Sequence, residues 1–409
     1  MKKFLLMISA VLLTVSALAQ QVTNLSDVKD GYYRVYAVKG KRYLSLLDNK
    51  GWAKRSGANA VADLYAIRTL LDNSDNHIVS NPATVIRITP SSTEYTCSAQ
   101  GTSINNFTSY KFKISKSGNA FIISAEAAGV GKSILAEGRL YSDEKDAYLP
   151  DSGVVSSQGA NFSDGSRDLY LYKVSSSDAN SYFGFAPDVN VGSKYYQTTY
   201  FAFPFKLASG SKATVYRVTK VLGSSAIIEP FGANDVVPAA TPLLVESSSN
   251  NAADNKVDLQ LTGGSASGTN LLAGVYFRYV YTDNAKAGAP SSSNSNHRNL
   301  TKFDASSMRV LGSSNGSAVF TTASTPDYII PANSAYLKVP AGTATELKIR
   351  TKVEYTRATK DVNMDATVDI SDVQTVINEM PTNASYCDVN SDGIVDISDV
   401  QSVINNINM

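Results

Sequence analysis

Histidine, tryptophan and cysteine are nearly absent from these 409 residues, at two, one and two copies. A Ser-His-Asp triad or a zinc hydrolase needs a histidine held by rigid structure. His77 lies beside an Asp/Asn stretch and His297 closes the Ser/Asn-rich run from Ser291, so neither is read as catalytic. With Trp52 alone, a sugar-stacking cleft would depend on the 23 tyrosines. Cys97 and Cys387 are too few for a disulfide framework and are expected as small thiols, a single bridge between them being the alternative. Charged residues make up only 18% and form no basic cluster, which argues against nucleic acid as a partner. Glycoside hydrolysis needs two carboxylates flanking a cleft. Asp143, Glu144 and Asp146 are candidates, but their polar run reads as a solvated loop.

Long apolar runs are missing too, with one exception at the start. Met1-Lys2-Lys3 precedes Phe4 to Leu13, and Ala17-Leu18-Ala19 offers a small-residue cleavage site. This is the pattern of an export signal, residues 1–19, leaving a mature chain from Gln20 with no further segment to insert in a membrane. No cysteine stands at the cleavage site, which argues against a lipid anchor. The expected location is secreted or extracellular, with attachment to a cell surface through a partner as an option.

What is abundant is Ser, Thr, Asn, Gly and Tyr, the composition of an extracellular β protein. Residues 20–176 carry a weak internal repeat. Gly31 to Val38 with Gly40 to Ser45 parallels Phe121 to Ala125 with Gly131 to Ala136, and a fainter copy runs through Thr84 to Ile88 and Tyr95 to Gly101. The copies close on alternating strands, Asp63 to Ile67, Tyr110 to Ile114 and Asp168 to Tyr172. Three four-strand units suit a closed threefold β architecture. The pattern is similar to the β-trefoil of ricin-type lectins. Their Gln-x-Trp signature is missing, so the resemblance implies the fold and not the sugar-binding residues.

Residues 177–350 form a second β block, with strands expected at Tyr195 to Phe205, Val215 to Val221, Ala226 to Glu229, Pro242 to Glu246, Val275 to Tyr281, Tyr328 to Ile330 and Ala335 to Val339. Short strands at turn-rich spacing point to a β-sandwich. Residues 351–360 are read as a short linker.

The last 49 residues, 361–409, hold one pattern written twice, 27 residues apart. Calcium takes six to eight hard oxygens, and a 12-residue loop supplies them from positions 1, 3, 5, 7 (backbone carbonyl), 9 and 12. The first loop offers Asp361, Asn363, Asp365, the Thr367 carbonyl, Asp369 and Asp372. The second offers Asp388, Asn390, Asp392, the Ile394 carbonyl, Asp396 and Asp399. Position 6 prefers glycine for its positive φ; Gly393 meets this and Ala366 does not, so the first loop is expected to be strained. Two ions are expected. From Asp361 onward there are nine acidic residues and no basic one, against +1 for the whole chain. Repulsion this dense makes folding depend on the ions. Each loop runs into an apolar stripe at helical spacing, Val373, Val376, Ile377 and Met380, then Val400, Val403, Ile404 and Ile407, both read as core. Each unit is thus a loop followed by one helix, with no incoming helix.

These residues resemble the dockerin module, a duplicated calcium loop-helix that plugs secreted proteins into cohesin receptors. The resemblance implies that loop positions 10 and 11 and the following helix choose the partner, here Ile370, Ser371, Gln374 and Thr375, and Ile397, Ser398, Gln401 and Ser402. Position 10 is apolar where many dockerins carry a hydroxyl, so packing of Ile370 and Ile397 inside the module is an alternative to a contact role. Of 18 residues from each first Asp, 14 are identical between the copies. A pseudo-twofold module that meets its partner in two orientations and a recent duplication both account for that.

Three functions follow. The first is an exported, non-catalytic, mainly β protein that docks on a cohesin-like receptor through a small α module. The second is a glycan-binding or polysaccharide-degrading protein, a glycoside hydrolase if an enzyme, tethered by that module. The third is a structural protein whose calcium hairpin packs on its own β body.

Overall fold

The computed structural model describes residues 21–38, 42–45, 68–70, 78–91, 95–99, 110–127, 130–134, 139–140, 146–148, 154–155, 168–201, 203–265, 267–275, 280–281, 297–298, 301–325, 328–331 and 333–407. The export signal, Trp52, the repeat strand Asp63 to Ile67, His77, Asp143 and Glu144 lie outside them. The described chain is mainly β, with three short helices gathered at the C-terminal end. No helix among the described residues is long and apolar enough to cross a membrane.

In the N-terminal body, Gly31–Ala37 pairs with Ile86–Pro90 on one side and Leu169–Lys173 on the other, both antiparallel. A meander through Tyr95–Ala99, Tyr110–Ser117 and Ala120–Ala127 returns to Leu169, which pairs with Phe121 and closes a ring of strands. Closure removes free strand edges, and alternate side chains fill the interior. Tyr33, Val35, Ile88, Phe121, Leu169 and Leu171 are buried there. A ring alone does not make a trefoil, and the threefold resemblance rests partly on Asp63 to Ile67, outside the described residues.

The second body is built on a sheet that runs from Lys194–Thr199 through Leu243–Ser247 and Ala213–Leu222 to Ser225–Pro230, antiparallel throughout. Ser225–Pro230 then pairs parallel with Glu346–Thr351. The run expected as one strand from Tyr195 to Phe205 is two, Lys194–Thr199 and Phe205–Leu207. Pro204 between them lacks an N–H to give a ladder. Period-2 alternation divides the sheet's side chains between two cores. Ala213, Val215, Leu243 and Val245 face one, while Tyr216, Val218 and Leu244 face the other with Leu272, Phe320, Leu337 and Leu347.

The first of these cores holds Phe183, Phe185, Phe201, Phe203 and Phe205, and it also takes in Tyr32, Val85 and Val174 from the N-terminal body. Rings pack edge-on and stacked, Phe183 to Phe203 at 5.2 Å and Phe201 to Phe203 at 4.4 Å between centroids. The two bodies are further tied by the Tyr32 hydroxyl, which donates to the Gln260 carbonyl at 2.9 Å, and by Arg87, which bonds Asp30 and the Leu261 carbonyl, each at 3.0 Å.

At the C-terminal end, α1 (Lys352–Thr359), α2 (Ile370–Glu379) and α3 (Ile397–Ile404) follow one another. The segment read as a linker is therefore helical. Thr351 ends the last strand and is also the N-cap of α1, with its side chain and that of Glu354 closing a reciprocal capping box. A third core, Val362, Val373, Val376, Cys387, Val389, Val395, Val400 and Val403, holds the two loops and α2 and α3 together.

The Phe203 ring touches partners from both bodies. Phe203→Ala should destabilise the β body by about 3–5 kcal/mol, read as an earlier midpoint in chemical denaturation followed by tyrosine fluorescence.

Candidate metal centre

Both loops fold the same way because their carboxylates take the same backbone donors. In the first, Asp361 Oδ1 accepts from Asp365 N at 3.1 Å and its Oδ2 from Ala366 N at 2.8 Å. Asp372 Oδ1 accepts from the backbone of Val362 and Asn363 at 2.6 and 2.9 Å, and its Oδ2 from Asp369 N at 3.0 Å. In the second, Asp388 takes Asp392 N and Gly393 N at 3.1 and 3.2 Å, and Asp399 takes Asn390 N and Asp396 N, both at 3.0 Å. Asp369 and Asp396 are the N-caps of α2 and α3, and Asp372 and Asp399 complete their capping boxes. The same residues thus start the helices and line the loops.

Burial separates these groups. Asp361, Asp372, Asp388 and Asp399 are buried, whereas Asp365 and Asp392 are exposed. Asn363 Nδ2 donates to Asp365 Oδ2 at 3.0 Å and to Ser371 Oγ at 2.6 Å, and Asn390 repeats both bonds with Asp392 and Ser398. The Ser371 hydroxyl and N–H hold the Asp369 carboxyl below its ordinary range, and Ser398 does so at Asp396. Among the described residues no group of three or more His, Cys, Asp or Glu is gathered closely enough to hold a metal ion as it stands. The donor chemistry still fits a hard cation. Among the described residues Asp388 is the one of the four buried carboxylates in an ion pair, with Arg357 at 2.7 Å, and buried anions left without one are costly.

Loop backbones turn through positive φ at Met364 (58°), Ala366 (77°), Ser391 (70°) and Gly393 (90°). A Cβ on Gly393 would meet nothing within 4 Å, so only the dihedral distinguishes glycine from alanine there. That matches the strain expected at Ala366.

Three residues that sequence reasoning left in a linker reach these loops. The Tyr355 hydroxyl donates to Asp361 Oδ2 at 2.6 Å, Arg357 also donates to the Asp388 carbonyl at 3.0 Å, and Lys360 Nζ donates to the Val389 carbonyl at 2.7 Å. Burial, followed by the Asp361 acceptor, pushes the Tyr355 phenol up. The expectation that no helix enters the first loop is corrected here: α1 ends at Thr359, two residues before Asp361. The signal was legible as Thr351-Lys-Val-Glu354, the spacing of a capping box.

A second correction concerns the apolar residues. Ile370 and Ile397 do not pack inside: each is 72% exposed. Ile377 and Ile404, assigned to the core stripes, are 43% and 45% exposed. Val373, Val376, Val400 and Val403 fill the core, and Ile377 and Ile404 lie at the margin of that stripe with part of their surface outside. Each helix therefore shows an outward pair of isoleucines seven residues apart, with Gln374 donating to Asn378 and Gln401 to Asn405, both at 2.8 Å, on the same side.

Elsewhere, a cleft of about 520 Å³ lies between the two β bodies, with Asn81, Gln197, Tyr328 and Asn333 among its lining. Among the described residues that line it, Asp188 is the one carboxylate. Asp146 and His297 fall in the short strands Asp146–Tyr148 and His297–Arg298. Burial, with Glu379 nearby, pushes the Cys387 thiol up to about 11.

Residues 359–408 match the family model of the dockerin type I domain, the stretch that carries the paired loops. No curated protein matches the chain. No solved structure matches it. The β-trefoil resemblance of the N-terminal body has no counterpart in these comparisons.

Ala366→Gly should raise the thermal midpoint of the C-terminal module, and Gly393→Ala should lower it. Each change is worth about 1–2 kcal/mol, the cost of a Cβ in the left-handed region, and differential scanning calorimetry of the full chain would record both.

Proposed function

We propose that this chain is an exported protein that docks on a cohesin-type receptor through its C-terminal module, with one calcium ion in each loop. Dockerin domains bind cohesins and type I dockerins bind calcium, and residues 359–408 match that family. The observation that carries the docking reading is the repeated outward pair, Ile370 with Ile377 and Ile397 with Ile404, left uncovered on two copies of one helix. Exposed apolar side chains at matching positions on two helices stand largely open among the described residues, and they give a partner the same contact twice.

In this reading Asp361, Asn363, Asp365, the Thr367 carbonyl, Asp369 and Asp372 hold the first ion. Asp388, Asn390, Asp392, the Ile394 carbonyl, Asp396 and Asp399 hold the second. Calcium supplies positive charge to loops whose four buried carboxylates share one ion pair among the described residues, Asp388 with Arg357, and an ion that binds only the folded module stabilises it by mass action. Because the loops share their backbone bonds with the N-termini of α2 and α3, filling them fixes the two helices that carry the isoleucines. The β body is assigned no chemistry. The rival structural reading, a hairpin packed on its own body, has support from Lys220, whose Nζ donates to the Met364 carbonyl at 3.3 Å. That contact leaves both isoleucine pairs uncovered, which favours docking. A glycan held by the β body is compatible with docking, since it would use other residues.

Affinity capture tests the reading. The mature chain is immobilised and exposed to the native extracellular fraction with calcium and then with chelator. Retention of a cohesin-bearing protein with calcium only, lost in the Asp365→Ala/Asp392→Ala and Ile370→Asp/Ile397→Asp double variants, is expected. Retention that survives chelation, or both variants, would refute it. In a Cys97→Ser background, maleimide labelling of the buried Cys387 should be slow with calcium and at least about tenfold faster with chelator, reporting opening of the module core.

A further inference from the structure

Helix α1 lies almost wholly before the residues that match the dockerin family, yet it touches both loops. Tyr355 reaches the first carboxylate of the first loop, and Arg357 reaches the first carboxylate of the second, 31 residues further on. Lys360 closes the helix in a left-handed conformation, φ 66°, and bonds the carbonyl of Val389 beside Asp388. Lys352, at the other end, stacks its ammonium over the Tyr386 ring at 3.2 Å. A polar helix that only joined two domains would have no reason to aim its side chains at the same position of both loops.

We propose that α1 is a working part of the metal module and that Tyr355 positions the Asp361 carboxylate for the ion. This rests on the calcium reading above. Three donors converge on Asp361. Asp365 N takes Oδ1, while Ala366 N and the Tyr355 hydroxyl take Oδ2. The backbone donors belong to the loop and move with it, so the phenol is the one fixed reference from outside. Tyr355 is itself buried and anchored in a helix whose first turn is capped by the last strand of the β body. A buried hydroxyl on Oδ2 sets the carboxylate's rotation and leaves Oδ1 its remaining lone pair for a cation. Arg357 plays the same geometric part at Asp388. However, its charge also repels a divalent ion, so removing it has two opposed effects, and Tyr355 is the cleaner test.

Tyr355→Phe keeps the ring and its packing and deletes only the hydroxyl. Calcium titration of the full chain by isothermal calorimetry should show one of the two sites weakened about tenfold or more, the usual effect of losing a partner of a metal ligand, with the other site within about twofold. The weakened site is assigned by repeating the comparison in Asp392→Ala, where the loss should persist, and in Asp365→Ala, where it should vanish. Unchanged affinity, or equal weakening of both sites as a general loss of stability would give, overturns the proposal. If Asp392→Ala or Asp365→Ala does not fold, the comparison of Tyr355→Phe with the unaltered chain decides by the same two criteria. Absence of any calcium uptake by the unaltered chain would instead bring down the calcium reading, and this inference with it.

Discussion

Four carboxylates taken out of water govern the C-terminal module. Asp361, Asp372, Asp388 and Asp399 are each satisfied by backbone N–H groups, and those bonds set the curvature of the loops and the start of α2 and α3. Hydrogen bonds spread the negative charge but do not cancel it, and a buried anion remains unfavourable until a cation is near. The valine core beneath is small, eight buried residues, so it has little stability to set against that repulsion. Helix capping, loop curvature and the placement of the exposed isoleucines therefore come from one set of side chains.

The β bodies obey a different constraint. Their sheets bury both faces, and the phenylalanine core recruits Tyr32, Val85 and Val174 from the N-terminal ring as if the two bodies were one. The hydroxyl of Tyr32 and the guanidinium of Arg87 then reach across to carbonyls of the second body. Such an interface resists hinge motion more than a polar one would.

The paired loops and the valine stripes were legible because oxygen spacing and a helical period are local properties of the chain. So were the central strands of the second body, Lys194–Thr199, Ala213–Leu222, Ser225–Pro230, Leu243–Ser247 and Ser334–Lys338, whereas Val189–Val191, Lys256–Leu259, Met308–Ser314, Ser317–Thr321 and Glu346–Thr351 passed unread because each holds only two or three apolar residues among polar ones. Periodicity located the helices but not the edge of the stripe, and Ile377 and Ile404 were placed inside when the valines had already filled the space. The shared phenylalanine core could not be read at all, since contacts between Tyr32 and Phe203 separate residues that no local pattern links. Helix α1 was hidden for another reason: its residues are polar nearly throughout, and its role lies in three long side chains whose targets exist only in the folded module.

The capping box at Thr351 has a further consequence. Strand and helix meet at a single residue, so no slack chain separates the β body from the module. Eight helical residues span about 12 Å at 1.5 Å each, and a helix pinned at both ends transmits direction as well as distance. On a receptor holding several such chains side by side, the β bodies would stand at a set angle and could not sweep out a sphere as flexibly tethered domains do. The receptor's own spacing would then decide which neighbouring bodies touch.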